Sequence, residues 1–174
     1  MRRHDAPPHH PRVTLEELNI QQITLSDREW IRGLLRDHWG SSEVVSRGNV
    51  YHADQLPGFI ATERDEKIGL ITYSSHGTEC EIVTLDSVLE NRGVGSALLK
   101  TVETVARHAG CACLRLITTN DNLKALRFYQ KRGFTLIALH RNAVEHSRTL
   151  KPEIPIRGND GIPIRDELEL ELLL

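Results

Sequence analysis

The stretch LDSVLENRGVGSALLKTVETVAR, residues 85–107, decides the fold of this chain. Its pattern predicts the end of a strand, a tight glycine turn at residues 92–96, and the start of a long helix. Gly93 and Gly95 let the backbone approach a ligand without Cβ atoms in the way. The helix directs its free N–H groups and the positive end of its dipole toward the turn. The stretch therefore predicts an anion site, most naturally for phosphate.

The glycine turn does not match two common nucleotide-binding motifs. A P-loop requires Lys and Ser/Thr directly after its second glycine, and here Ser96 and Ala97 follow instead. A dinucleotide fingerprint requires a third glycine where Leu98 stands. Taken alone, the glycine pair is equally compatible with a sharp turn that binds nothing.

Composition restricts the function further. The 174 residues suit one compact domain, and a net charge of −2 gives no basic footprint for nucleic acid. No uncharged run approaches the ~20 residues that span a bilayer, and the first residues do not resemble a signal peptide. Of the three cysteines, Cys111 and Cys113 lie in an apolar, strand-like run and are interpreted as buried hydrophobic residues rather than metal ligands. An odd number of cysteines fits a cytoplasmic protein with reduced thiols.

The remaining chain predicts a mixed α/β domain at residues 13–174 behind a disordered tail at residues 1–12. The central sheet has about seven strands, partly antiparallel and partly parallel, flanked by helices, one of them capped by Ser26. Residues 43–57 are predicted to be irregular. The predicted strands are residues 18–25, 58–64, 67–74, 78–86, 112–118, 134–140 and 167–174.

The last of these strands, ELELELLL, alternates strictly at first. The alternation predicts that its leucines point inward and that Glu167, Glu169 and Glu171 form a solvated sheet face. This strand could also pair with a second copy of the chain, which leaves a homodimer open.

A second motif, NLKALRFYQKRGF at residues 122–134, follows one strand after the helix. The two segments together resemble the GNAT superfamily of N-acetyltransferases. The family signature Gln/Arg-x-x-Gly-x-Gly/Ala corresponds to residues 90–95, and Asn-x-x-Ala-x-x-Phe-Tyr-x-x-x-Gly-Phe corresponds to residues 122–134. The chain departs from the first signature at Glu90, whose carboxylate would repel a phosphate that Arg92 would attract.

The resemblance implies a GNAT-like acyl-CoA N-acyltransferase fold and an acetyl-CoA-dependent enzyme. It would transfer the acetyl group to an amine of a small molecule or peptide, by direct attack while both substrates are bound. The alternative is a non-catalytic acyl-CoA-binding or sensing module on the same fold. The acceptor and the length of the acyl chain stay open.

The resemblance also assigns residues to the cofactor. The backbone of the glycine turn would hold the pyrophosphate, the preceding strand end would pair with the pantetheine arm, and Asn122 would contact that arm from the other side. Tyr129 would protonate the departing thiolate, since a phenol and a thiol have comparable acidity. The implied cofactor-binding residues are Leu85, Ser87, Val88, Arg92, Gly93, Val94, Gly95, Ser96 and Asn122.

The base and the acceptor site are less determined. Glu81 matches the strand position where some family members place a base, and Glu79 shares its face. His76, His38 and His52 are further candidates with a suitable pKa. The candidate acceptor-binding residues are Trp39, Arg47 and Tyr51; Arg47 could bind a substrate carboxylate, whereas Glu167 and Glu169 would favour a cationic amine.

Overall fold

A seven-stranded mixed sheet runs through the molecule, and helices cover both of its faces. The computed structural model describes residues 18–88 and 92–174, so the tail at residues 1–12 and Glu90 lie outside the described residues. The strands are β1 (Leu18–Gln22), β2 (Glu43–Ser46), β3 (Asn49–His52), β4 (Gly58–Glu63), β5 (Glu66–His76), β6 (Glu79–Ser87), β7 (Cys113–Thr119), β8 (Thr135–His140) and β9 (Glu167–Leu173). The helices are α1 (Arg28–Trp39), α2 (Val94–His108), α3 (Leu123–Gln130) and α4 (Ala143–Leu150). None of these described helices is long and apolar enough to cross a membrane.

The order of strands in the sheet is β1-β4-β5-β6-β7-β9-β8. Only the β6–β7 pair is parallel among these neighbours, because α2 carries the chain back across the sheet between them. One face packs against α2 and α3 around Leu98, Val102 and Leu114. The opposite face packs against α1 around Ile31, Leu35 and Ile60. The fold class expected from the sequence is confirmed.

The prediction that residues 43–57 are irregular is wrong. Strands β2 and β3 form an antiparallel hairpin, with Val45 opposite Val50. The turn places Arg47 and Gly48 at φ 50° and 74°, and two successive positive φ values are typical of a tight turn that matches strand twist. Four-residue strands carry too little periodicity to be recognised without that turn geometry.

The prediction of a solvated acidic face on β9 is also wrong. Glu167 and Glu169 are each only 4% exposed. Ser147 of α4 donates a hydrogen bond to Glu167 Oε1 at 2.8 Å, and His140 Nε2 lies 2.8 Å from Glu169 Oε2. The alternation itself holds, but the acidic side is covered by a further layer of chain. β9 also pairs with β7 and β8 on its two edges, so it is not a free strand for a second copy.

The start of α1 differs slightly from the prediction, since β1 ends at Gln22 and Ser26 does not cap the helix. Instead a short 3-10 turn, Leu25–Asp27, leads into α1. The Thr24 N–H and hydroxyl both donate to Asp27 Oδ2, at 2.8 and 2.7 Å. Lys67 Nζ lies 2.7 Å from Asp27 Oδ1. Burial alone would raise the pKa of Asp27, but these hydrogen bonds and the Lys67 charge lower it to about 2.

We expect Asp27→Asn to lower the free energy of unfolding at pH 7 by about 2 kcal/mol, because a depressed carboxyl pKa stabilises the folded state above the unfolded pKa. This contribution is lost as the pH falls from about 5 to about 2, so the difference between wild type and variant should shrink over that window. Urea unfolding at several pH values measures it. Asp65→Asn, in an exposed turn, is the matched control. A pH-independent difference would contradict the assignment.

Candidate active site

Strands β6 and β7 separate partway along their length. Their parallel pairing runs from Glu79 opposite Cys113 to Ile82 opposite Leu116, whereas β6 continues to Ser87 and β7 to Thr119. The register with β5 also shifts at this point, which marks a bulge in β6. A bulge bends a strand away from its partner. The backbone of β6 beyond Ile82 therefore lines a gap between two strands.

The glycine turn lies beside this gap and opens α2. Gly93 is the N-cap at φ +84°, and a Cβ there would have no atom within 4 Å. The N–H groups of the first turn of α2 have no partner within the helix. Gly95 packs against α3, since a Cβ there would lie 3.3 Å from Phe128 Cζ. The turn thus offers backbone donors to open space while its helix contacts α3 closely.

Gly69 of β5 determines how near α2 comes to the sheet. A Cβ on Gly69 would lie 2.6 Å from Val94 Cγ1 and 3.0 Å from Leu98 Cδ1. Val94 is the first residue of α2 and is 1% exposed. The missing side chain at Gly69 therefore lets the N-terminal turn of α2 lie directly on the sheet.

A cavity of about 640 Å³ lies between the glycine turn and α3, and we call it the α2–α3 cavity. It brings together all the predicted cofactor-binding residues except Val88, and it includes Tyr129. Val88 is half exposed and its N–H donates to Ile68 O at 2.9 Å. The lining residues are Leu85, Ser87, Arg92, Gly93, Val94, Gly95, Ser96, Asn122, Lys124, Ala125, Arg127, Phe128, Tyr129, Lys131 and Arg132.

Five of these lining residues are basic and none is acidic. Four of the basic residues, Lys124, Arg127, Lys131 and Arg132, were not identified from the sequence as site residues. Lys124, Arg127 and Lys131 are spaced by three and four residues, which places them along one side of α3 and the turn after it, and Arg132 follows Lys131 directly. The same spacing is typical of a solvated helix face, so it did not distinguish a binding surface from an ordinary exterior.

Arg132 reaches the glycine turn, and Arg92 is the first residue of that turn. Arg132 Nε donates to Ser96 Oγ at 3.1 Å, and its guanidinium carbon lies 3.5 Å from the centre of the Phe128 ring. Arg92 Nη2 lies 3.0 Å from Glu63 Oε1, but its buried Nε has no hydrogen-bond partner among the described residues. The lining of the cavity carries five basic side chains and no acidic one. The chemistry of the cavity therefore fits a polyanion.

Tyr129 lies on the wall of this cavity and is 7% exposed. Its ring makes edge-to-face contacts with Phe128 and Phe134, at centroid distances of 5.1 and 5.3 Å. Burial raises the pKa of the Tyr129 phenol, and the Asp86 charge raises it further. The hydroxyl therefore stays protonated in neutral solution and can act as a proton donor.

A second cavity of about 110 Å³ lies on the other side of the gap, against the β2–β3 hairpin, and we call it the hairpin cavity. Asn122 lines both cavities. Its side chain accepts a hydrogen bond from the Ala125 N–H at 3.1 Å, which fixes it at the start of α3. The lining residues are Trp39, Val44, Val45, Ser46, Ile82, Val83, Ile117, Thr118, Thr119, Asn122 and Glu167.

A buried lysine holds the walls of the hairpin cavity. Lys151 is 6% exposed, and its Nζ donates to the carbonyls of Trp39 and Glu43 at 3.0 and 2.7 Å. Burial lowers the pKa of Lys151. These two bonds fasten the end of α1 to the start of the hairpin. Trp39, predicted to contact the acceptor, is therefore held in the cavity wall.

Glu81, the predicted base, lies next to the hairpin cavity. The Ser46 hydroxyl, which lines the cavity, donates to Glu81 Oε1 at 2.5 Å. The Tyr51 hydroxyl donates to Glu81 Oε2 at 2.9 Å. Burial and the bond to Glu81 raise the pKa of Tyr51 to about 12, so Tyr51 remains a neutral donor. Glu81 and Tyr51, both predicted as site residues from the sequence, are thus hydrogen-bonded to each other.

Asp86 is a site residue that the sequence interpretation missed. It is 9% exposed on β6 and accepts hydrogen bonds from Trp39 Nε1 at 3.0 Å, while His38 Nδ1 lies 3.0 Å away. Its place between Leu85 and Ser87, both assigned to the cofactor, was the available signal, because alternate strand residues face opposite sides. Asp86 orients His38, one of the candidate bases.

Glu79, His76, His52 and Arg47, which the sequence also suggested for the base or the acceptor site, line neither cavity. Glu79 Oε1 lies 3.0 Å from Arg115 Nη1, and exposed His76 contacts Ser74. His52 Nδ1 lies 3.7 Å from Glu43 Oε1. Arg47 lies 3.6 Å from Glu169.

Comparison with known proteins shows the family of this chain. Residues 21–134 match the Acetyltransferase (GNAT) family, and the chain belongs to that family. It is 48% identical over 151 residues to the uncharacterised protein YdhI of Bacillus subtilis (strain 168), covering 84% of this chain and 94% of that protein.

Solved structures confirm the fold. An IAA acetyltransferase from Bacillus cereus ATCC 14579 superimposes with a TM-score of 0.71 at 22% identity, over 90% of this chain and 99% of that one. A GNAT family acetyltransferase from Elizabethkingia anophelis with acetyl-CoA bound gives a TM-score of 0.65 at 22% identity, over 91% of this chain and 99% of that one.

Proposed function

We propose that the protein is an acetyl-CoA-dependent N-acetyltransferase that transfers the acetyl group to an amine by direct attack, with both substrates bound at once. The observation that carries this proposal is the position of Asn122. It lines a basic cavity on the α2–α3 side of the sheet and a second cavity on the hairpin side. An acetyl donor in the first cavity and an amine acceptor in the second would meet at the gap between β6 and β7.

The α2–α3 cavity would hold acetyl-CoA. The N–H groups of residues 93–96 and the positive end of α2 suit a pyrophosphate. Arg132, bonded to Ser96 at the start of α2, adds positive charge beside it. The β6 backbone beyond Ile82, freed from β7, would pair with the pantetheine arm. Acetyl-CoA supplies a thioester, at which a C–N bond to the amine forms and the C–S bond breaks.

Tyr129 would act as the general acid. Tyr129 lines the cavity, and its hydroxyl keeps its proton at neutral pH. That proton would pass to the sulfur as the C–S bond breaks, which avoids releasing a free thiolate. Asn122, at the start of the same helix, would orient the arm of the cofactor.

Glu81 would accept the proton lost by the attacking amine, through the Ser46 hydroxyl. Ser46 lines the hairpin cavity and donates its hydroxyl proton to Glu81. Ser46 Oγ would take a proton from the amine while its own hydroxyl proton passes to Glu81. Tyr51 would hold the carboxylate in place from its other oxygen. His38, oriented by Asp86, is the second candidate for this role.

We expect Glu81→Gln to lower kcat/KM about tenfold, a modest effect because solvent can also accept the amine proton. Ser46→Ala should give a similar loss, since it breaks the same path. Initial rates of thiol release measure both. Glu79→Gln, on the same strand face and paired with Arg115, is the control and should stay within about twofold of wild type. A loss in His38→Gln instead of Glu81→Gln would assign the base to His38.

The proposed function is tested with purified protein by calorimetric titration with acetyl-CoA and by thiol release across an acceptor panel. Polyamines, amino acids, aminoglycosides and peptides make up the panel, and butyryl-CoA tests a longer acyl chain. Binding together with acceptor-dependent release supports the proposal. Tight binding without release on any acceptor would favour a non-catalytic acyl-CoA-binding module, and absence of binding would overturn both.

A further inference from the structure

We infer that the acceptor is a short amine carrying a second positive charge, and that Glu167 binds this charge. The inference rests on the proposed function, because it assigns the hairpin cavity to the acceptor. Glu167 lines that cavity and is 4% exposed. It lies opposite Thr119 in the sheet, three residues beyond Leu116, where the β6–β7 pairing ends.

Glu167 is a buried carboxylate without a cationic partner. Ser147 donates to Oε1 at 2.8 Å, and Oε2 has no hydrogen-bond partner among residues 18–88 and 92–174. No lysine, arginine or histidine of the described chain lies within ion-pair distance of it. A buried charge is costly unless it is paired. The carboxylate is therefore placed to bind a cation that enters the cavity.

Glu169, the neighbouring acid on β9, differs from Glu167 in having basic partners. Glu169 shares the burial of Glu167 but lies within 4 Å of three basic side chains: Arg47 at 3.6 Å, Arg115 at 3.7 Å and His140 at 2.8 Å. Its charge is neutralised inside the protein. Of these two adjacent acids on one face, only Glu167 both lines the cavity and lacks a basic partner in the described chain.

The other walls suit the same ligand. The residues that line the hairpin cavity include no basic side chain, so a substrate carboxylate would face Glu167 without compensation. Trp39 contributes an aromatic surface, held in place by Asp86 and Lys151, and an aromatic face attracts cations. The volume of about 110 Å³ suits a short chain between the two charges.

Three acceptors of matched length test which charge the cavity selects: 1,4-diaminobutane, butylamine and 4-aminobutanoate. We expect kcat/KM for the diamine to exceed that for the monoamine at least tenfold, mainly through KM, and 4-aminobutanoate to be poorest. In Glu167→Gln the ratio of diamine to monoamine should fall to near one. Glu171→Gln, on the same strand face but bonded to Arg115 and outside the cavity, should keep the wild-type ratio.

A binding measurement keeps this inference separate from the proposed function. Calorimetric titration of the CoA-loaded protein with each amine reports the Glu167 site whether or not transfer occurs. Equal affinity for diamine and monoamine, or a diamine preference that survives Glu167→Gln, would overturn the inference. Transfer to the monoamine or to 4-aminobutanoate without a diamine preference would also overturn it, but would leave the acetyltransferase assignment standing.

Discussion

Tyr129→Phe is expected to lower kcat at least about 100-fold while leaving the Kd for acetyl-CoA within about twofold. The variant removes one oxygen from the wall of the α2–α3 cavity and keeps the ring that packs on Phe128 and Phe134. A positioned general acid contributes 10²–10⁴-fold to typical enzyme rates. Steady-state rates of thiol release and calorimetric titration with acetyl-CoA measure the two quantities.

Tyr73→Phe is the matched control for this substitution. Tyr73 is a partly buried tyrosine of β5 that stacks on Phe59, and it lies outside both cavities. Its variant should keep wild-type turnover. If Tyr129→Phe retained full turnover, or lost affinity for acetyl-CoA as much as it lost rate, the acid role would be wrong and Tyr129 would be a packing residue.

Gly69→Ala is expected to lower the free energy of unfolding by about 1–3 kcal/mol, the range for overpacking a core. It should also weaken acetyl-CoA binding about tenfold. The added methyl would meet Val94 at 2.6 Å, so the first turn of α2 must move off the sheet and carry the glycine turn with it. Urea unfolding and calorimetric titration give the two values.

Gly33→Ala provides the contrast. Gly33 lies in α1, and a Cβ there would have no atom within 4 Å. Alanine is favoured over glycine in a helix by up to about 1 kcal/mol, so this variant should be slightly more stable and bind acetyl-CoA normally. A folded Gly69→Ala protein with wild-type affinity would show that the position of α2 on the sheet does not control the anion site.

The sequence was most informative where a short local pattern is compatible with only one arrangement of strand, turn and helix. The strand, glycine turn and helix at residues 85–107 and the motif at residues 122–134 predicted the β6–α2–β7–α3 order. They also predicted nine of the residues that now line one cavity. Glycine is the residue that readily accepts a positive φ, as Gly93 does at the N-cap of α2, so a glycine pair between a strand and a helix can be interpreted without a structure.

Long-range contacts explain what the sequence could not predict. Glu167 and Glu169 alternate with leucines as a solvated strand would, and only the covering α4 and hairpin make them buried. Lys124 and Lys131 have the spacing of an exposed helix face, and only the apposed glycine turn makes that face a cavity wall. The hydrogen-bond partner of Asp86 on α1, Trp39, is 47 residues away in the chain.

The separation of β6 from β7 has a consequence for how molecules enter and leave. The sheet separates the two cavities, and Asn122, beside the gap beyond Ile82 and Leu116, lines both of them. Each reactant would approach this opening from its own side and withdraw the same way, so neither route is blocked by the other reactant. The two products would part in opposite directions as soon as the bond between them is cut.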